Sequence, residues 1–210
     1  MQLVSLVESF LCLLFPARSS TQKVAKVSLG DLGELLRPVQ VGTVTALLPY
    51  RAPLVRALIL EAKFHENRRS FDLLGTVLAD HILSLIEESG FDEKQYVLVP
   101  IPLSKKRFRE RGYNQVEKVV RSALTLLPPC VSLSTTVLKR TRDTLPQTTL
   151  SRSKRLTNMQ EAFSVTEDID TNCTHIVVDD VITTGATMQA AIEALSAHGV
   201  TDCIGLSLAH

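Results

Sequence analysis

The stretch His175-Ile176-Val177-Val178-Asp179-Asp180-Val181-Ile182-Thr183-Thr184-Gly185-Ala186-Thr187 constrains the fold more than any other part of the chain. An unbroken apolar run meets two adjacent carboxylates, then a turn of small hydroxyl-bearing residues, then a helical pattern. A continuous rather than alternating apolar run marks a strand covered on both faces, as in parallel sheets flanked by helices. Asp179 and Asp180 sit where that strand leaves the sheet, and open α/β sheets bind their ligands beyond the carboxyl ends of their strands. Thr183 to Thr187 lead into a helix that starts near Ala186. Free backbone N–H groups and the helix dipole favour an anion there, and Gly185 lets the backbone approach it closely. Thr183, Thr184 and Thr187 add hydroxyl donors. A carboxylate cannot be a phosphate ligand, so Asp179 and Asp180 serve another purpose, either accepting hydrogen bonds from sugar hydroxyls or holding Mg²⁺ through water. The expected ligand is a phosphorylated sugar. The bland alternative, an acidic strand end before a common Thr-Thr-Gly turn, accounts for each part singly but not for their order.

The rest of the chain alternates strand and helix patterns. Val41–Leu48 reads as a strand, and Pro53–Glu61 as a helix opened by proline. Phe71, Leu74, Leu78, Ile82, Leu85 and Ile86 form the buried stripe of a longer helix that Gly90 ends. Tyr96–Ile101 is a second apolar strand, which Pro100 and Pro102 force out of the sheet. A helix follows over Asn114–Leu127, then a strand over Ser134–Lys139. Residues 140–149 read as a polar loop, and Ser151–Met159 as a short helix with Ser151 as N-cap. The helix after the acidic pair closes at Gly199, and Cys203–Leu208 is a last strand. Such alternation predicts an α/β fold with a mainly parallel sheet flanked by helices. Residues 1–40 stand apart as an extension: Leu3, Leu6, Val7, Phe10, Leu11 and Leu14 make a short amphipathic helix, and residues 19–40 a linker or small subdomain. Residues 41–210 form the main domain.

Composition narrows the function classes. With 45% hydrophobic and 21% charged residues and a net charge of +1, the chain has no global attraction to nucleic acid, so any basic site is local. Leu3–Phe15 lacks a basic start, carries Glu8 and is too short to span a bilayer. The four cysteines, Cys12, Cys130, Cys173 and Cys203, are scattered without paired spacing, which suits a reducing cytoplasm rather than a disulfide scaffold. Docking of the N-terminal helix on a membrane or a partner is a minor alternative to packing on the body.

Val177–Thr187 resembles the phosphoribosyl pyrophosphate (PRPP) signature of type I phosphoribosyltransferases, and further stretches resemble one branch of them, the ComF family. These are Tyr50–Arg56 with Lys63-Phe64, Val99–Leu103, Arg107 with Arg109–Gln115, Leu138–Arg140, Gln147, Leu150-Ser151, Arg155, Asn158 and Ala162-Phe163. The resemblance implies a type I phosphoribosyltransferase-like fold with PRPP and Mg²⁺ as ligands. It implies that Val181, Ile182, Thr183, Thr184, Gly185, Ala186 and Thr187 bind the sugar phosphate. Asp179 and Asp180 would be the catalytic and metal-holding pair, and Pro100, Ile101 and Pro102 the pyrophosphate loop. ComF relatives carry a Cys-rich zinc module after an apolar stretch ending in Phe-Pro. Here Phe15-Pro16 is followed by Ala17-Arg18-Ser19-Ser20-Thr21-Gln22, so no zinc is expected. The family is associated with uptake of single-stranded DNA, which makes DNA or a DNA-import helicase an alternative partner and a non-catalytic role an alternative to phosphoribosyl transfer.

Two basic clusters remain, Lys105, Lys106, Arg107, Arg109 and Arg111 on one loop, and Lys139, Arg140, Arg142, Arg152, Lys154 and Arg155 on another. The turn at 183–187 accommodates one phosphate, so a pyrophosphate needs donors of its own, and guanidinium forks suit it. Arg107 and Arg111 are the first candidates, and Arg140 and Arg142 the second. The same clusters suit a single-stranded nucleic acid backbone, although the chain has few aromatics for stacking bases. Lys63 has no role derivable from the sequence.

Overall fold

The computed structural model describes residues 17–90, 94–141, 162–166 and 169–210, with side chains from residue 21 onward. Its frame is a six-stranded sheet. In chain order the strands are β1 (Val39–Val41), β2 (Val44–Leu48), β3 (Tyr96–Pro100), β4 (Val131–Leu133), β7 (Thr174–Val181) and β8 (Cys203–Ala209). In space they run β1-β2-β8-β7-β3-β4, with only the β1–β2 pair antiparallel. A separate antiparallel pair joins β5 (Leu138–Arg140) to β6 (Phe163–Val165). The expected mainly parallel α/β sheet is what the chain forms.

Alternate side chains of each central strand enter two cores. Ile176 and Val178 of β7, Leu98 of β3 and Leu206 and Leu208 of β8 face one layer of helices. These are α1 (Ala17–Lys26), α2 (Leu29–Leu35), α3 (Pro53–Phe64), α4 (Arg68–Glu88) and α6 (Gln115–Leu124). Val177 and Val99 face the other side, where α7 (Ala186–Ala197) packs with Met188, Ala191 and Leu195, beside Leu138 and Phe163 of the small β5–β6 sheet. Burial on both faces explains why the β7 sequence does not alternate.

Several expectations need correction. The strand expected at Val41–Leu48 is broken by the turn of a hairpin over residues 39–48: Val41 pairs with Val44 across a two-residue turn in which Gly42 has φ 65°. Glycine at the first central position of such a turn is the usual requirement. Of the strand expected at Ser134–Lys139 only Leu138 and Lys139 belong to one, because Ser134 Oγ accepts the Val137 N–H at 3.3 Å and turns the chain between β4 and β5. The basic run at 105–111 is a helix, α5 (Lys105–Arg111), not a loop. Ser104 caps it by accepting the Arg107 N–H, and Gly112 ends it at φ 80°. Residues 17–35 hold α1 and α2; Val24 and Leu32 on these helices, and Val27 between them, are buried in the same cluster as the sheet. The amphipathic helix at Leu3–Phe15, the helix at Ser151–Met159, nearly all of the polar loop at 140–149, and Arg142 lie outside the described residues. Among the described residues no helix is long and apolar enough to cross a membrane.

Candidate functional site

The acidic pair closes the carboxyl end of β7. β3 stops at Pro100, opposite Val178, while β8 continues alongside to pair Asp179 with Ser207 and Val181 with Ala209. The acids therefore stand above the end of β3 on a strand still held from its other side. The turn after them is anchored by the Ile182 N–H, which donates to the Ala209 carbonyl at 2.9 Å. Gly185, at φ 77°, makes the sharp entry to α7 in a left-handed conformation that suits glycine. It offers no side-chain cap, so the first N–H groups of α7 keep their donors unspent. Asp179 and residues 181–188 line a small cavity of about 50 Å³ at this place. Thr183 and Thr184 are exposed, and Thr187 is half-buried.

Asp180 is buried, and each of its carboxylate oxygens has one protein partner, which leaves acceptor capacity on both. Lys63 Nζ, at the end of α3, lies 3.0 Å from its Oδ1. Gln115, itself buried on the first turn of α6, donates its amide to Oδ2. Arg111 Nη1 in turn donates to Gln115 Oε1 at 2.9 Å, and its guanidinium lies 5.1 Å from the centre of the Phe64 ring. Tyr113 holds this corner together. Its hydroxyl donates to the Ala62 carbonyl at 2.8 Å and accepts the Glu66 N–H at 2.9 Å, which fixes the end of α3 beside Lys63. Asp179 is half-buried, and its Oδ1 accepts the Asp180 N–H at 2.8 Å. Burial, and then the negative charge of Asp180, push the Asp179 carboxyl up to about 7, against the opposing influence of that N–H and of the Lys63 and Arg140 charges. Strong perturbation of an acid at the rim of a cavity is the pattern expected of a working group.

Comparison with known proteins fits this geometry. The phosphoribosyl transferase domain matches residues 70–209, which include β3, β7, the acidic pair and the turn. The chain belongs to the phosphoribosyl transferase family. Its similarity to competence protein ComFC of Streptococcus pneumoniae is 30% identity over 145 residues, 68% of this chain and 60% of that protein. With the DNA utilization protein YhgH of Escherichia coli K12 it shares 28% over 149 residues, 70% of this chain and 63% of that one. Competence protein F of Haemophilus influenzae shares 32% over 107 residues, 50% of this chain and 46% of that one. The chain thus spans about three fifths or less of the length of these curated relatives, which place it in the ComF branch of the phosphoribosyl transferases.

In this phosphoribosyl transferase fold the described residues singled out from the sequence fall into four groups. Asp179, Asp180, Val181, Ile182, Thr183, Thr184, Gly185, Ala186 and Thr187 stand together around the end of β7. The Pro100–Pro102 loop lies directly beside them: the Ile101 N–H donates to the Val178 carbonyl at 2.8 Å, and the Ile101 carbonyl accepts from Asn114 Nδ2 at 3.0 Å. Arg111 and Arg140 come next. Arg111 reaches Asp180 through Gln115, and Arg140 stacks on Phe163 at 5.5 Å with its charge felt at Asp179. Arg107 stands exposed on the first turn of α5. Two functional candidates escaped sequence reasoning, Gln115 and the role of Lys63. Gln115 carries a faint signal, a polar residue opening an amphipathic helix right after the Asn114 cap; nothing in the sequence ties it to residue 180.

Proposed function

We propose that this protein binds PRPP with Mg²⁺ and transfers its phosphoribosyl group to a nucleophile. The observation that carries the reading is the cavity at the head of α7, where uncapped backbone donors stand beside a carboxylate with an elevated proton affinity. The 5′-phosphate would sit on the turn at 183–187, and the ribose hydroxyls would face Asp179 and Asp180. Positive charge develops on the sugar ring as pyrophosphate departs, and the carboxylates of the acidic pair would favour it, Asp179 adding its charge above about pH 7. Arg140 and the Pro100–Pro102 loop flank the side on which the leaving group would lie.

The residues fit a magnesium ion that completes its shell with ligand oxygens and water. Asp179 lines the cavity and offers a hard oxygen, while both oxygens of Asp180 already have protein partners. Among the described residues no group of three or more His, Cys, Asp or Glu could hold a metal ion. An ion bound through one or two carboxylates plus substrate phosphates is the ordinary magnesium arrangement. When bound, the ion neutralises charge on the departing pyrophosphate. Isothermal titration with PRPP and Mg²⁺ tests the binding. Asp179→Ala is expected to weaken it at least tenfold, or about 1.4 kcal/mol, and unaltered binding would count against the assignment. Release of pyrophosphate in the presence of candidate acceptors separates an enzyme from a PRPP-binding protein without turnover.

A second reading rests on α5. Lys105, Lys106, Arg107 and Arg109 are all exposed there, with Phe108 51% exposed among them. Cations interleaved with an aromatic suit a single-stranded DNA backbone and a stacked base, and the competence and DNA-utilization names of the relatives point the same way. Replacing Lys105, Lys106 and Arg107 by alanine should lower the salt dependence of single-stranded DNA binding by a log–log slope of about 2, at roughly 0.7 for each phosphate no longer neutralised. An unchanged slope would leave α5 as a solvated face.

A further inference from the structure

We propose that Lys63 and Gln115 are positioning residues that set Asp180 for the sugar hydroxyls, and that Arg111 acts behind them by orienting Gln115. The proposal rests on the sugar-phosphate reading of the site and adds a dedicated support for one of its two acids. The chemistry of these linked hydrogen bonds allows one order only. A guanidinium donates and never accepts, a carboxylate accepts, and a glutamine amide has one end of each kind. With Arg111 Nη1 on Gln115 Oε1 at 2.9 Å, the amide nitrogen must face away from Arg111, and it meets Asp180 Oδ2. Lys63 occupies the other oxygen at 3.0 Å. Asp180 is thereby held in one rotamer by groups on α3 and α6, two helices on the opposite side of the sheet from α7.

The support is built for precision rather than for general stability. Gln115 is buried, and the side chains of Lys63 and Asp180 are 19% and 10% exposed. A core that needed only stability would place apolar groups here, because buried polar partners seldom gain on a well-packed hydrophobic replacement. A buried network in which each member satisfies the next confers a single geometry instead. Tyr113 adds to this reading, since it ties the last turn of α3, which carries Lys63, to the segment between α5 and α6 that leads into Gln115. The phosphate turn has no part in the network: its anchor is the Ala209 carbonyl. Support for the sugar end and support for the phosphate end are physically separate, and that separation makes the proposal testable.

The experiment compares ribose 5-phosphate with inorganic phosphate, each titrated against the full chain and followed through the backbone amide resonances of Gly185 and Thr187. Wild type should bind ribose 5-phosphate more tightly than phosphate. Lys63→Met and Gln115→Glu should each weaken ribose 5-phosphate at least tenfold while phosphate affinity stays within twofold. Gln115→Glu keeps the shape of the side chain and sets a second acid against Asp180. Lys63→Arg should recover most of the sugar affinity, which guards against loss of fold as the cause. Equal loss of both ligands in the variants would show a merely structural role and overturn the proposal, as would wild-type sugar affinity in Lys63→Met and Gln115→Glu. A wild-type protein that binds neither ligand would instead defeat the sugar-phosphate reading, and this support with it.

Discussion

The raised proton affinity of Asp179 fixes the sign of its effect on stability. The ordinary value of such a carboxyl is 3.8, and in the folded chain it is pushed up to about 7. The folded protein therefore holds this proton more tightly than the unfolded chain does. Stability is unaffected below about pH 4, falls as pH rises from there to about 7, and carries the whole penalty above that. Asp179→Asn removes the charge and keeps the shape, so it should stabilise the protein at pH 8 and change little at pH 4. Discounted for the partial exposure of the group and its coupling to Asp180, the gain is about 1–3 kcal/mol, read as the difference in thermal midpoint between variant and wild type at the two pH values. An equal shift at both would deny the group its raised proton affinity. The acidic pair and the turn were legible in the sequence because their chemistry is local, all within residues 179–187. Lys63 and Gln115 were not, because their contacts with Asp180 span most of the fold, and a buried glutamine looks like any polar residue until the sheet brings its partner to it.

Packing between elements sets where α6 carries Gln115. Gly75 in the middle of α4 has no side chain because α6 runs too close: an added Cβ would lie 2.8 Å from Ser122 Cβ and 2.9 Å from the Ala123 nitrogen. Two effects oppose each other in Gly75→Ala. Helix propensity favours alanine by roughly 0.5–1 kcal/mol, whereas overpacking of a close contact costs about 1–3 kcal/mol. The obstacle includes backbone, which cannot rotate away, so overpacking should win. We expect a net loss of about 1–2 kcal/mol in denaturant unfolding, together with weaker PRPP binding as α6 and Gln115 shift outward. A stabilised variant would mean that the two helices have room to part. The same scale shows what the sequence hid. Long stripes such as Phe71, Leu74, Leu78, Ile82 and Ile86 of α4 were readable because each turn repeats the signal. Short elements were misread: the β1–β2 hairpin turns on a single glycine, and α5 has no buried residue to create a stripe. Its limits are set by Ser104 and Gly112, the two caps that flank the charge-rich run.

At the scale of the whole molecule, alternating strands and helices announced a parallel sheet but not its order. Strand order depends on which edges meet, and periodicity carries no such information. The consequence is large, because the last strand in sequence is inserted between β2 and β7. Leu206, Leu208 and Ala209 are fully buried, the Ala209 carbonyl holds the Ile182 N–H, and His210 exchanges hydrogen bonds with Leu48 and Tyr50 at 3.0 and 2.8 Å. The turn at 183–187 is thus pinned by residues that a reading confined to the motif would treat as a dispensable tail. A chain shortened to end at Ser207 loses the burial of Leu208, about 2–3 kcal/mol, and three backbone hydrogen bonds at about 1 kcal/mol each. A loss of about 5 kcal/mol is a large part of the stability of an ordinary domain, and at about 2–4 °C per kcal/mol for a chain of this size it lowers the thermal midpoint by roughly 10–20 °C. Below the new midpoint, hydrogen exchange should quicken first at Ile182, whose acceptor has gone, and much less at Leu98 in β3, two strands away. A shortened chain that melts within a degree or two of the full one, with Ile182 still protected, would show that the turn is held from within α7 rather than by the strand beside it.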